Sequence, residues 1–315
     1  NERVTHECYR AVVAARIPGP GGRIARIVNT LERISFNFGP TLLEWMEVHA
    51  EKVYRSILEA DRRSAGRHNG HGNAIAQAYH HSILPLASRR DKETEVRWGI
   101  ADFRNRFRRD PTGMWLPETA VDDETLDVLA QEGIAFTIVA PHQVKEPPPG
   151  GLPGIYRTEN GRTIALFPYD GALAHDVAFG TLLEDGAEWA DVLISRGKAG
   201  PPHRSQGPPG EGNTDERLIA IATDGETYGH HHRFGDMALA TVLDLIDEHS
   251  RIKVENFSSF LARNPPIHEV ELVEPSSWSC SHGVERWRSD CGCAMDPDST
   301  YQQEWRVGLR DSLEW

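Results

Sequence analysis

Two carboxylates stand where a chain of strands and helices would carry out chemistry. Glu118 closes the apolar run Gly113-Met114-Trp115-Leu116, and Pro117 cannot donate to a ladder, so pairing stops there. Asp224 closes a second run, Ile219-Ala220-Ile221-Ala222-Thr223, and Gly225 lets the backbone turn sharply behind it. Two acids at strand ends, far apart in sequence, are what glycoside hydrolysis needs. One attacks the anomeric carbon or activates water, and the other protonates the leaving oxygen. Carboxyl groups roughly 5–5.5 Å apart give retention, and roughly 6.5–9.5 Å gives inversion. An acid of this kind has to keep its proton near neutral pH. For Asp224, burial or the charge of the nearby Glu226 would raise the pKa. The plainer alternative is that each acid caps the next helix or pairs with an arginine. The aromatic and imidazole neighbours Trp115, Tyr228 and His230-His231-His232 favour the chemical reading.

These acids need a scaffold, and the hydrophobic pattern supplies one. Helical spacing is read over 1–15, 41–58, 91–109, 122–132, 177–195, 237–249 and 257–263. Strands are read over 34–38, 74–79, 113–116, 134–140, 163–168, 218–223 and 252–255. Pro40 suits the first helical position, Asp122 an N-cap and Gly133 a helix stop. Residues 24–31 are apolar but of uncertain type, and 60–73 and 196–213 read as loops. Strand followed by helix, about six or seven times over, predicts a parallel sheet covered by helices. No glycine-rich phosphate loop follows an early strand, so a nucleotide-binding sheet is disfavoured and a β/α barrel expected.

Composition narrows the partners. The chain has 315 residues, 39% of them hydrophobic, enough for one large domain or one domain and the start of another. A net charge of −13 argues against nucleic acid or an anionic membrane as partner. No run of about 18 apolar residues and no leader-like segment is seen. The four cysteines are too few for a disulfide scaffold, so a reducing cytoplasm is expected. Oligomeric state is left open.

Trp115 to Glu118 and Thr223-Asp224-Gly225-Glu226-Thr227-Tyr228-Gly229-His230 resemble two signature regions of glycoside hydrolase family 57. Residues 34–43, the segment Tyr79-His80-His81-Ser82-Ile83-Leu84-Pro85-Leu86, residues 97–103, and the late Ser277-Trp278 and Trp287 are similar to further parts of that family. The resemblance spans about Ile34 to Trp287. It implies an incomplete (β/α)7-type TIM barrel, a retaining mechanism, and action on α-linked glucans or related sugars. By matching position, Glu118 would be the nucleophile, Asp224 the general acid/base and His81 a sugar contact. The family's His-x-His-Gln-Pro-like first strand has no counterpart before Ile34, so that strand is expected to be missing. The expected division is a barrel over 1–264 and a C-terminal segment over 265–315, with a Cys/Trp-rich loop and the start of a helix. The segment Ser279 to Cys293 suits an uncharacterised branch of the family.

Other residues are weighed individually. Trp278 and Trp287 are candidate sugar platforms, with core packing as the alternative. His230 is the best placed of the three adjacent histidines, and the other two are expected to face solvent. His71 reads as a loop residue and Cys8 as core. Cys280, His282, Cys291 and Cys293 are metal-ligating types, but they lack a Cys-x-x-Cys knuckle. Buried thiols or a redox-labile pair are the alternative, and neither a metal nor a cofactor is assigned. The substrate-binding set is therefore His81, Trp115, Glu226, Tyr228, His230, Trp278 and Trp287. Two other functions compete: a metal-dependent polysaccharide deacetylase using Asp224, His81 and His230 as ligands, and a carbohydrate-binding barrel without turnover.

Overall fold

The computed structural model describes residues 1–198, 216–249, 251–293 and 301–313. The expected loop at 196–213 lies mostly outside them. The fold is mixed α/β. A helical run opens the chain: α1 (Glu2–Val4), a π turn (Thr5–Tyr9) and α2 (Arg10–Val12). An antiparallel hairpin follows, β1 (Ala15–Pro18) with β2 (Ile24–Val28), so the undecided stretch at 24–31 begins as a strand.

The central arc comes next. Phe36 bridges Ala74, which leads into β3 (Ala76–Gln77). β3 pairs in parallel with β4 (Met114–Trp115), Gly113 bridges Phe136, and β5 (Phe136–Val139) pairs in parallel with β7 (Thr163–Pro168). β6 (Gly154–Arg157) is an antiparallel strand on the far side of β7, and β8 (His268–Glu269) pairs with β6. The parallel order predicted from the repeating units is therefore present. Among the described residues, however, regular pairing forms sheets of two, two and four strands and does not close a barrel.

Helices cover this arc. α3 (Pro40–His49) and α4 (Glu51–Arg67) follow Phe36, α5 (Arg89–Phe107) follows β3, and α6 (Asp123–Gln131) follows β4. α7 (Gly171–Phe179) and α8 (Gly186–Lys198) follow β7, and α9 (Gly235–Asp247), α10 (Phe257–Arg263) and α11 (Trp305–Leu313) complete the set. The caps match their sequence signals. Asp122 accepts from the Thr125 amide at 2.8 Å, and Gly133 sits at φ +84° beyond α6.

Three expectations need correction. Residues 60–67 are helix rather than loop: α4 runs to Arg67, burying Ala60, Asp61 and Ser64 along one face. The polar residues hid the periodicity. Asp61 is buried because Arg109 grips it through two nitrogens, at 2.9 and 2.7 Å, and the Ala74 amide donates to it at 2.7 Å. Residues 218–223 are extended but have no regular ladder. The Asp170 amide donates to Ala220 at 2.8 Å, while Leu218 and Ala222 pack on the Phe136, Ile138 and Phe167 cluster, Ile219 and Ile221 pack on the α7–α9 cluster, and the stretch borders a cavity. Residues 252–255 likewise form no strand.

Candidate active site

Glu118 sits on a strained turn. Its φ is +57° and that of Thr119 is +49°, a left-handed pair without glycine. For a β-branched residue this is a rare conformation, and it persists only where the surroundings enforce it. The fully buried Gln143 does so by donating to the Thr119 carbonyl at 2.8 Å and to Ser276 Oγ at 3.1 Å. Val121 and Ser276 exchange backbone bonds, which brings the 276–279 segment across the turn. There the Trp278 amide donates to the Glu118 carbonyl at 3.1 Å. Trp278 Nε1 and Ser279 Oγ both donate to Glu118 Oε2, at 2.9 and 2.6 Å, and His81 Nε2 lies 3.5 Å from Oε1. His81, Ser279 and Trp278 outweigh burial and hold the Glu118 carboxyl down to about 2, so it is ionised at neutral pH.

Asp224 shows the opposite displacement. Desolvation by the cavity walls pushes its pKa up first, although the residue keeps an exposed edge, then the charges of Glu226 and Glu118, while His231 and His81 act the other way. It opens onto a cavity of about 860 Å³, whose walls include Phe36, His81, Trp115, Asp224, Glu226 and Tyr228. That volume is in the range of small-molecule sites. Glu118 is not a wall residue; it meets the wall directly at His81 and, through Trp278, at Trp115, whose ring packs edge-on against Trp278 with centroids 5.2 Å apart.

The 224–230 turn is anchored from behind by the N-terminal helical run. Cys8 Sγ donates to the Gly225 carbonyl at 3.0 Å, and Tyr9 Oη donates to Glu226. Gly229 adopts φ +144°, and a Cβ there would lie 2.3 Å from the Glu7 carbonyl oxygen. Thr223 Oγ1 bonds Tyr228 Oη at 3.0 Å.

The predicted residues thus divide. Glu118, His81, Trp115 and Trp278 meet on one side, and Asp224, Glu226 and Tyr228 on the other. Trp287 packs with Ile83, Ala120 and Val284 instead. His230 turns away to pair with Glu7, and it is His231 whose charge favours ionised Asp224. Asp224, His81 and His230 form no metal-ligating cluster among the described residues. Tyr9, Gln143 and Ser279 went unpredicted. Ser279 follows the singled-out Trp278, which was a usable signal; Tyr9 and Gln143 gave none, because their partners are remote in sequence.

Comparison with known proteins agrees with this architecture. The chain matches Glycosyl hydrolase family 57 over residues 21–272. It is 19% identical over 263 residues to a 4-alpha-glucanotransferase of Thermococcus litoralis, covering 78% of this chain and 36% of that protein. It is 25% identical over 173 residues to Alpha-amylase 1 of Dictyoglomus thermophilum, covering 53% and 24%. The chain therefore spans about a third or less of these relatives. Its fold is similar to that of an exo-type maltose-forming amylase from Pyrococcus sp. ST04, with TM-score 0.69, 16% identity, and 90% and 50% of the two chains covered. It is also similar to a branching enzyme from Pyrococcus horikoshii, with TM-score 0.63, 19% identity, and 90% and 69% covered. With four-fifths of its length inside that match, the chain belongs to glycosyl hydrolase family 57.

Proposed function

We propose that this chain carries the catalytic core of a retaining enzyme that hydrolyses or transfers α-linked glucans. Glu118 is the nucleophile and Asp224 the general acid/base. The observation that carries this reading is the opposed titration of two neighbouring acids, Glu118 held ionised and Asp224 pushed toward its protonated form, with Glu118 itself contributing to the push. Glu118 attacks the anomeric carbon while Asp224 protonates the leaving oxygen. Asp224 then takes a proton from water, or from a sugar hydroxyl in transfer, as that oxygen attacks the glycosyl-enzyme. Trp278 and Ser279 hold the attacking carboxylate, and His81, Trp115, Glu226 and Tyr228 form the sugar-facing wall.

Activities printed for the relatives, α-amylase and 4-alpha-glucanotransferase, support an α-glucan substrate. The parallel arc from Phe36 to β7 supports a (β/α)7-type barrel over residues 1–264 with a C-terminal segment over 265–315. Four free cysteines are consistent with a cytoplasmic setting. The test is a panel of α-glucans with product analysis and NMR of the anomeric configuration. Glu118→Gln and Asp224→Asn should each lower turnover at least about a thousandfold, and wild type should give retention. Inverted product, or wild-type rates in either variant, would remove the proposal. Sugar binding without turnover by wild type would favour a carbohydrate-binding barrel.

A further inference from the structure

The loop that holds Glu118 continues into a cluster the catalytic reading does not use. Cys280, His282, Cys291 and Cys293 bring one ligating atom each within 4.8 Å of all the others. Cys280 Sγ lies 3.8 Å from Cys291 Sγ, and Cys293 Sγ lies 3.4 Å from His282 Nδ1. Both distances match edges of a tetrahedral site. Zinc–sulfur bonds of about 2.3 Å and a zinc–nitrogen bond of about 2.0–2.1 Å require sulfur–sulfur edges near ~3.8 Å and sulfur–nitrogen edges near ~3.6 Å. A disulfide needs sulfurs about 2.05 Å apart, and all four cysteines are free thiols. Three thiols and one imidazole form a soft donor set that suits zinc rather than magnesium or calcium. Among the described residues no other group of three or more His, Cys, Asp or Glu side chains converges in this way.

We propose that Cys280, His282, Cys291 and Cys293 form a closed Cys3His site for a structural zinc ion. The protein supplies all four ligands, so no position is left for substrate or water, and binding releases the thiol protons. The sequence reading set this group aside for want of a Cys-x-x-Cys knuckle. Here the chain reversal between Cys280 and Cys291, and the Cys291-Gly292-Cys293 turn with Gly292 at φ +78°, replace the knuckle. Cys280 directly follows Trp278 and Ser279, the two donors on Glu118 Oε2. Further bonds tie the same loop: Ser277 Oγ donates to the Gly283 carbonyl at 2.7 Å, and Arg286 to the Ser279 carbonyl at 3.1 Å. A zinc ion would hold the origin of that donor pair fixed. This positioning role rests on Glu118 being catalytic; the metal site does not.

The test is metal analysis of full-length protein purified without chelator, with cobalt substitution as an independent readout. About one zinc per chain is expected in wild type, in Asp224→Asn and in His81→Ala, and its loss in Cys291→Ser and Cys293→Ser. The cobalt protein should show thiolate charge-transfer bands and the intense visible bands of a tetrahedral site. Metal-free wild type with freely reactive thiols, or a Cys280–Cys291 disulfide by mass spectrometry, would overturn the site. So would zinc that survives the cysteine changes but leaves with Asp224 or His81, because that metal would belong to the acid pocket. Should the cysteine variants fail to fold, wild-type stoichiometry and the cobalt spectrum decide alone. Zinc content does not depend on turnover, so failure here and failure of the glucan reading are distinguishable.

Discussion

Glu118 and Asp224 are the same kind of acid in opposite surroundings, and their effects on stability have opposite signs. Glu118 has a folded pKa below the ordinary carboxyl range, so its stabilising contribution is present at neutral pH and is lost as pH falls toward about 2. Asp224 has a raised folded pKa, so its ionised form opposes folding once pH exceeds the ordinary aspartate value of about 3.9. Asp224→Asn should therefore raise Tm at pH 7, with the gain vanishing in scans below about pH 4. Glu118→Gln should lower Tm at pH 7. Among the charges that raise the Asp224 pKa, Glu226 acts most strongly. Glu226→Gln removes one of the charges that raise the Asp224 pKa, so the alkaline limb of kcat/KM should move to lower pH, by up to about one unit. A limb that stays in place, or moves upward, would show that Glu226 does not tune this acid.

At the scale of elements, the two acids are placed by contacts behind them. α5 and the start of α6 are joined by Lys92, which is 2% exposed and reaches Asp122 at 2.9 Å and Glu124 at 2.8 Å. Asp122 is also the N-cap of α6, directly after the Glu118 turn. Lys92→Met leaves two carboxylates facing each other without their cation. Both still reach water, so the expected loss in urea unfolding is about 2–3 kcal/mol, below that of a fully buried pair. The Asp224 turn depends on its contact with the N-terminal helical run. Gly229→Ala would force a Cβ toward Glu7 in a conformation that side chains rarely adopt. It should lower kcat more than it raises KM, because the turn carries Asp224.

Across the whole molecule, the two halves of the site belong to different packing units. The Glu118 half rests on the core of α3 to α6 and their strands. Behind Asp224 lies a second cluster, where Leu173, Trp189, Leu193 and Leu239 join α7, α8 and α9. The first 28 residues span both: Cys8, Tyr9 and Val12 join the first core, while in the β1–β2 hairpin Ala15 and Ile17 pack against Ala240 and Arg26 pairs with Asp244. Deleting residues 1–28 should speed hydrogen exchange in 225–247 while the amides of β5 and β7 stay protected. Equal loss of protection in both regions would mean that the core unfolds as one unit.

The sequence by itself carried the parallel α/β pattern, the caps at Asp122 and Gly133, and the two acids, because each is a local signal: period, capping chemistry, or an acid ending an apolar run. It missed the last turns of α4, where buried Asp61 and Ser64 replaced the apolar face, and it read 218–223 as a paired strand when that apolar stretch packs in two clusters without joining a ladder. It also placed His230 in the site and Trp287 beside it. The tertiary structure alone decided that Glu118 is held down by Trp278, Ser279 and His81, and that Tyr9 reaches Glu226. Those contacts join residues up to 217 positions apart, and no local pattern encodes which distant donor meets which acid. Titration behaviour follows such neighbours: Glu226, two residues from Asp224, was legible in the chain, whereas the remote donors that hold Glu118 down were not.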